Sequence, residues 1–571
     1  MESRMERKKK QQQQQSIINK ENKYRVFFIA FTFTAFIFVL IGRLAYIQLI
    51  QGHEYYLRAK TQWFKEIPTR VERGKIYDRN MIPLTNKYKK SHVIVFPEYF
   101  NSTTENLQLL HDMTEITIHE LKYEKLNSNR PVEMKIVNEN EELIQKVVNM
   151  QGAFVLDYSD RYDEKGIASH VIGYINKVDN IGEKGLEKKY DQELKENQQY
   201  KIGAIVDAKK RMIPGLGYTV LENALATEKK NIVTTLDYSI QQIIEEEFDK
   251  VFKKGSIVVL DVKQGELLGM VSRPNFEQSN VAAYLENKNK ELYNRAIQIT
   301  YPPGSIFKII VTAAALEYGI VDMEDMFFCN GYEEIGDIAI KCSSFHKGGH
   351  GKISLTEAFS KSCNSVFIQL GQKIGSKNII DMAQKFGLGS LTEIGLLEEV
   401  PGHLPSEDYM KGAGIGNISI GQGTLEVTPL QIARLTAIIA NNGIDNGVSL
   451  AKKIIDDEGN IIKSYKRKVP KFVINIGTAK IIQAMMETAV NEGTAIKAKS
   501  QEIGGAAGKT GSSEAIIDGE KTVHAWFTGY FPIDAPQYVI TIIVENGGSG
   551  GKAAAPLFKK IAQRINSLNK H

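Results

Sequence analysis

The run Tyr301-Pro302-Pro303-Gly304-Ser305-Ile306-Phe307-Lys308 sets a hydroxyl and an amine three residues apart. Two prolines and a glycine end an extended segment and start a helix, so Ser305 falls in the first turn and Lys308, one turn on, projects from the same face. Backbone N–H groups left without partners at a helix start can hold the oxyanion formed when the hydroxyl attacks a carbonyl. Lysine is a poor base at its free pKa, but beside the apolar Ile309, Ile310 and Val311 its charge is disfavoured, which brings it toward a useful value. By itself S-x-x-K describes a capping serine and a solvated lysine in most chains. Two further elements change that: Ser362-Cys363-Asn364, whose serine lies 57 residues beyond Ser305, and Lys509-Thr510-Gly511-Ser512. Each is common alone. In this order they supply a nucleophile, a base, a proton relay and a cationic clamp for a substrate carboxylate.

Competing chemistry is weaker. The segment GGAAGKTGS imitates a phosphate-binding loop, but that loop needs glycine five residues before Gly508, where Ile503 stands, and no strand is obvious upstream. Cys329, Cys342, His346 and His350 superficially resemble metal ligands. The gap between the two cysteines is long for a close pair and His350 sits in a glycine-rich run, so a turn or packing role is expected, and no metal or cofactor. A Cys329–Cys342 bridge could form in an exported chain and would leave Cys363 unpaired.

The elements that must position these groups begin near residue 255. SIVVLDV leads through Lys263-Gln264-Gly265 into ELLGMVS, a hairpin signal, and TVHAWFTGYF with Gln537–Val544 forms a second strand pair near the other end. Between them, residues 479–490 repeat apolar side chains at the helical period, and Ile309 to Leu316 reads as a helix buried on most sides. Strands at both ends with helices between them predict an α+β domain, a sheet closed by its termini and covered by helices. Upstream, segments such as Glu141 to Val148 predict a modest mixed domain. The runs 182–200 and 225–250 are expected to make the connection, the second being helical with Ile240, Ile243 and Ile244 on one face.

The chain has 571 residues, 42% of them apolar, and a formal net charge of +5. Residues 1–25 alone carry eight basic and three acidic side chains, which is also +5, so the remainder sums to zero. A nucleic-acid partner would want a basic surface over the folded part, and none is expected. Val26 to Gly42 is uncharged and rich in phenylalanine, with no small-x-small cleavage site after it, which predicts an uncleaved anchor. The positive-inside bias then keeps the N-terminus cytoplasmic and the rest outside.

Together these residues resemble the class B penicillin-binding proteins, the monofunctional transpeptidases of bacterial cell-wall synthesis. The resemblance extends to Arg73-Gly74-Lys75-Ile76-Tyr77-Asp78-Arg79-Asn80, the hairpin from Val258 to Pro274, Asn294-Arg295-Ala296, Gly421-Gln422-Gly423, Thr428-Pro429-Leu430-Gln431, Gly493-Thr494 and Trp526-Phe527-Thr528-Gly529-Tyr530. It implies a penicillin-binding transpeptidase fold with a central antiparallel sheet, and a serine D-Ala-D-Ala transpeptidase. Ser305 would attack a stem peptide, Lys308 take its proton, Ser362 pass a proton to the leaving amine, and Asn364 hold Lys308 and the substrate backbone. Lys509, Thr510, Gly511 and Ser512 would receive the terminal carboxylate. It also implies β-lactams as covalent inhibitors and a membrane glycosyltransferase with elongation or division proteins as partners. One departure stands out: Met81 occupies the place where glycine usually follows Asp-Arg-Asn.

The expected division is a cytoplasmic tail over 1–25, an anchor over 26–47, a pedestal of the dimerisation type over 48–250 and the transpeptidase domain over 251–571. The pedestal length leaves no room for a glycosyltransferase domain. Rival readings keep the site and change the acceptor, as in a D,D-carboxypeptidase or a β-lactam-hydrolysing or -sensing protein, or retire the site in a cell-wall scaffold. The single span and long pedestal weigh against the first, and the complete set of polar groups against the second.

Overall fold

The computed structural model describes residues 2–568 except 53–54, 57–63, 67–72, 88, 98–99, 128–131, 149, 151, 164–165, 177–179, 196–199, 206–217, 223–229 and 518. Helix α1 (Glu2–Leu49) contains a 25-residue stretch, Arg25–Leu49, in which an 18-residue window reaches a mean hydropathy of 2.2 and is not buried against the rest of the chain. At 1.5 Å per residue it is longer than the ~30 Å hydrocarbon core of a bilayer.

Beyond this helix, Lys89–Val95 pairs with Val132–Lys135 and Ala153–Ser159 in a three-stranded sheet. The segment Glu141–Val148 is a helix, as its periodicity predicts. The Arg73-to-Asn80 segment folds around two buried acids. Arg73 Nε and Arg161 Nε meet Glu187 at 3.0 and 2.7 Å, and Asp78 Oδ1 accepts from the backbone N–H groups of Asn80 and Ile82. The turn so held puts Met81 at φ 65°, the left-handed region that favours glycine.

Within the runs expected to connect the domains, Gly185–Lys189 and Asp191–Leu194 are short helices. Residues 196–199 and 223–229 lie outside the described residues. Helix α2 (Tyr238–Asp249) starts at the cap Asp237, whose carboxylate accepts from Ser239 and Ile240 N–H. Its Gln241 side chain bonds the backbone of Met270 in both directions, fastening the helix onto the sheet.

That sheet has five antiparallel strands, β1 (Gly255–Asp261), β2 (Leu267–Arg273), β3 (Ala507–Ile517), β4 (Glu520–Phe531) and β5 (Tyr538–Val544), in the order β2-β1-β5-β4-β3. The register sets Ile257 opposite Ile542 and so closes the N-terminal hairpin onto the C-terminal strand, the predicted α+β layout. Side chains alternate across the pleat: Ile257 and Val259 join a core with α2 and α7 (Gly550–Leu568), while Val258 and Leu260 join the larger core on the opposite face. Because both faces are covered, β1 reads as an unbroken apolar run, not an alternating one.

The larger core holds α3 (Lys308–Glu317), α4 (Asn364–Ile374), α5 (Pro429–Ala440) and α6 (Ile476–Asn491). Helix α5 opens with a capping box between Thr428 and Gln431 and proline in its first turn, the signature its sequence carries. Its Thr436 hydroxyl reaches Thr528 of β4 at 2.7 Å, and Thr528 reaches Thr541 of β5 at 2.7 Å, a short polar ladder that fixes the helix over the sheet. The Lys509–Ser512 segment, expected near the second strand pair, is itself strand: it lies in β3 at the sheet edge, with Lys509 opposite Thr528 and Gly511 opposite Trp526.

Candidate active site

Ser305 sits in a single 3-10 turn, Gly304–Phe307, that runs straight into α3 at Lys308. The turn is pinned by glycine on both sides. Gly304 has φ +55° and donates its N–H to Gly421 O at 2.9 Å, and a Cβ on Gly304 would lie 2.7 Å from Ser512 O. A Cβ on Gly421 would lie 2.0 Å from Gly304 O, and one on Gly511 would lie 2.9 Å from Pro303 O. Three glycines thus allow the serine turn to lie directly on β3. Trp526 Nε1 donates to Pro302 O at 3.2 Å, and the Tyr301 hydroxyl donates to Glu545, which also pairs with Arg295 at 2.7 Å. Sequence reading gave a positioning role to Gly304, which starts the turn, but not to the tertiary supports around it. Arg295, Gly421 and Trp526 stood only as parts of motifs, with no contact assigned to them.

Lys308 is completely buried, and its amine donates to Ser362 O at 2.9 Å, Ser362 Oγ at 3.2 Å and Asn364 Oδ1 at 2.8 Å. Burial is the main cause that brings its pKa down to about 8. Lys509, equally buried, donates to the same Ser362 Oγ at 3.1 Å and to Thr510 O at 3.2 Å. Burial first, and Lys308 second, hold its pKa well below the usual lysine range. One hydroxyl therefore lies between two amines, neither of which is comfortable as a cation. Among the described residues Ser305 Oγ has no hydrogen-bond partner, and the residue is half-buried at the mouth of this arrangement.

Ser362 occupies φ 56°, a left-handed conformation that costs a non-glycine residue about 1–2 kcal/mol. The bend lets Cys363 begin α4 so that Ser362 and Asn364 both turn toward Lys308. Thr510 Oγ1 meets Thr494 Oγ1 at 2.7 Å, and Ser512 is exposed at the strand edge with its hydroxyl accepting from Gly550 N–H at 3.3 Å. All eight residues singled out from sequence thus come to one cleft between α3, α4 and β3.

The cysteines pack in the larger core, where they come together with a histidine. Cys329, Cys342 and Cys363 are free, and with His350 their ligand atoms lie within 4.8 Å of one another, while His346 is exposed and outside the group. The fourth member comes from the Ser362–Asn364 turn itself, which no local spacing could reveal.

Comparison with known proteins follows the same lines. Residues 255–563 match the penicillin binding protein transpeptidase domain, and residues 68–216 the penicillin-binding protein dimerisation domain. The chain is 32% identical over 558 residues to Stage V sporulation protein D of Bacillus subtilis, covering 93% of this chain and 83% of that one. It is 27% identical over 604 residues to Peptidoglycan D,D-transpeptidase MrdA of Haemophilus influenzae, covering 93% and 91%. Among solved structures, the penicillin-binding protein PBP2 of Helicobacter pylori, crystallised with MreC, superposes with a TM-score of 0.67 at 24% identity over 89% of this chain and 99% of that one.

Proposed function

The chain belongs to the penicillin-binding protein transpeptidases, and from that premise we propose that it cross-links peptidoglycan stem peptides through an acyl-enzyme on Ser305. The observation that carries the assignment is the chain of contacts from Lys308 through Ser362 Oγ to Lys509, with Ser305 in the turn that leads directly into Lys308. A buried amine with a pKa of about 8 is partly neutral at physiological pH and can accept the Ser305 proton as Oγ attacks the carbonyl of the penultimate D-alanine. The C–N bond to the terminal D-alanine then breaks. Its departing nitrogen takes a proton from Ser362, which is replenished from Lys308, and an ester to Ser305 remains. The amine of a neighbouring stem attacks that ester and passes its proton to the Lys308–Ser362 pair, which hands it to the departing Ser305 oxygen, so that the hydroxyl and the neutral amine are both restored.

The rest of the cleft supports binding. On its outer side β3 has no strand partner among the described residues, so an extended peptide can add there with its carboxylate at Lys509, Thr510 and Ser512. A carboxylate beside Lys509 restores the charge that burial disfavours, so the lysine is a clamp that forms on binding. Gly511 lets that peptide approach the backbone, and the N–H groups of Ser305 and Ser512 hold the oxyanion. β-Lactams present a strained amide and a carboxylate in the same relation and acylate Ser305 without a leaving amine.

The long apolar helix serves as a single-pass anchor, with the basic tail over 1–25 on the cytoplasmic side, 26–47 in the membrane, a pedestal over 48–250 and the transpeptidase domain over 251–571 outside. The Helicobacter pylori relative was solved with MreC, and we infer that this chain likewise works in a membrane complex of elongation or division proteins with a glycosyltransferase. Fluorescent penicillin is expected to label the full-length chain covalently and Ser305→Ala to abolish the label. Undiminished labelling of that variant would sink the assignment of the nucleophile.

A further inference from the structure

We propose that Glu545 is a positioning residue for the acyl transfer, a role that rests on Ser305 as the nucleophile. Its carboxylate, through Tyr301, holds the segment that carries Ser305, and the loop it opens, through Gly550, holds Ser512. One short stretch of chain thereby sets the spacing of the two N–H groups at the oxyanion.

Glu545 follows β5 directly, and its side chain is 11% exposed. One oxygen, Oε1, accepts from the Tyr301 hydroxyl at 2.7 Å and from Arg295 Nε at 2.7 Å. The other two arms of the Arg295 guanidinium donate to Lys290 O at 3.1 Å and Asn289 O at 2.9 Å, so the cation is held from three sides. A hydrogen bond to a charged acceptor is about twice as strong as a neutral one, and the arginine lets the carboxylate keep its charge inside the protein. Burial first and the Glu545 charge second raise the Tyr301 pKa well above the usual phenol range, so the hydroxyl stays a donor. The Tyr301 ring stands edge-on to His524 and Trp526, with centroids 5.4 and 6.0 Å away, and its backbone exchanges two hydrogen bonds of 2.9 Å with Val427. Ring, hydroxyl and backbone thus fix Tyr301 together. Pro302 and Pro303 follow, and their locked φ angles pass that placement stiffly to the Gly304–Phe307 turn.

The other end of the loop reaches the edge strand. Asn546 takes a left-handed φ of 56° and its N–H donates to His524 Nδ1 at 3.3 Å, and Gly548 N–H donates to Val523 O at 3.0 Å, both acceptors lying on β4. Gly550 N–H then donates to Ser512 Oγ at 3.3 Å. A Cβ on Gly550 would lie 2.1 Å from Trp526 O and 2.4 Å from Gly511 O, so glycine is what lets α7 start this close to β3. Ser305 and Ser512 belong to different elements, a turn and a strand, and a misplacement of ~1 Å between reacting groups can cost about a hundred-fold in rate. A residue that ties the two elements to each other therefore acts on the rate without touching the substrate.

Stopped-flow fluorescence with labelled penicillin and the full-length chain in detergent separates the dissociation constant of the first complex from the acylation rate constant. Tyr301→Phe removes only the hydroxyl and leaves the Arg295–Glu545 pair in place. It should lower the acylation rate constant about ten-fold and leave the dissociation constant within about two-fold of the parent. Glu545→Leu should cost at least as much, and adding Tyr301→Phe to it should change nothing further, since the shared contact is already gone. A boronic acid, whose tetrahedral adduct with Ser305 places an oxygen in the oxyanion position, should lose affinity for Tyr301→Phe by the same factor as the rate. The proposal is overturned by a Tyr301→Phe rate constant within about two-fold of the parent, by a loss confined to the dissociation constant, or by losses that multiply in the double variant. Unchanged boronate affinity overturns it as well. Should Glu545→Leu fail to fold, as read by thermal unfolding, the rate and boronate affinity of Tyr301→Phe decide alone. Label retained by Ser305→Ala refutes the nucleophile, whereas normal acylation of Tyr301→Phe beside an unlabelled Ser305→Ala chain refutes only the part given to Glu545.

Discussion

Acylation of Ser305 should depend on pH through Lys308. The groups that face its amine are Ser362, Asn364 and, through Ser362 Oγ, Lys509, with the Cys342 and Cys363 thiols close behind. Burial lowers the pKa to about 8, so the neutral fraction rises from about 9% at pH 7 through half at pH 8 to about 91% at pH 9. Only the neutral amine accepts a proton, so the second-order rate constant for acylation should climb about five-fold from pH 7 to 8 and less than two-fold from 8 to 9. Asn364 Oδ1, at 2.8 Å, favours the charged form, so Asn364→Leu should slow the reaction and also move the midpoint to lower pH, by roughly one unit for one charge-assisted hydrogen bond. Lys308→Arg keeps the charge and cannot be the base, and should cost at least about a hundred-fold. Stopped-flow fluorescence with a labelled penicillin, at constant ionic strength and with unfolding checked at each pH, gives the profile. A flat rate between pH 6.5 and 9, or an Asn364→Leu midpoint that moves upward, would refute the assignment of Lys308 as the base.

Other outcomes follow from single contacts. Gly304→Ala forces a Cβ to 2.7 Å from Ser512 O at a left-handed φ, so it should lower the melting temperature by an amount equivalent to about 1–2 kcal/mol and slow acylation in parallel; a normal rate would show that the serine turn does not need to lie on β3. Met81→Gly relieves the strain of φ 65° and should stabilise the chain by about 1 kcal/mol with acylation unchanged, as read by thermal unfolding; a destabilised variant would contradict the strain. Glu187→Leu strands Arg161 in a buried site and leaves Arg73 with Asp191 as its one ion pair; it should cost about 3–5 kcal/mol, visible as a large drop in melting temperature, whereas a drop equivalent to less than about 1 kcal/mol would mean that water reaches the arginines.

Much of this protein is legible without coordinates because its signals are local. The apolar run near the N-terminus, the apolar period of α6 and the Gly265 turn of the first hairpin depend on neighbours in the chain, and these elements form where the pattern puts them. The ordered trio of motifs identifies the chemistry for a related reason: nucleophile, relay and clamp need particular functional groups, and few other pairings of those groups make sense. What sequence could not decide depends on groups brought together from distant positions. Nothing in the spacing of Lys308 and Lys509 says that both amines meet one hydroxyl, or that both are buried enough to lose their charge readily. The placement of Lys509 on an edge strand, the seating of Gly304 on Ser512 and the strain at Ser362 likewise come from packing. The cysteines make the contrast sharpest. As spacings, Cys329, Cys342 and His350 suggested a turn or packing role, and Cys363 joins them only across the fold, from the Ser362–Asn364 turn. Residue types determined which reaction the chain can perform. Tertiary structure determined the protonation, alignment and support that perform it, since pKa and geometry are properties of an environment that no residue carries by itself.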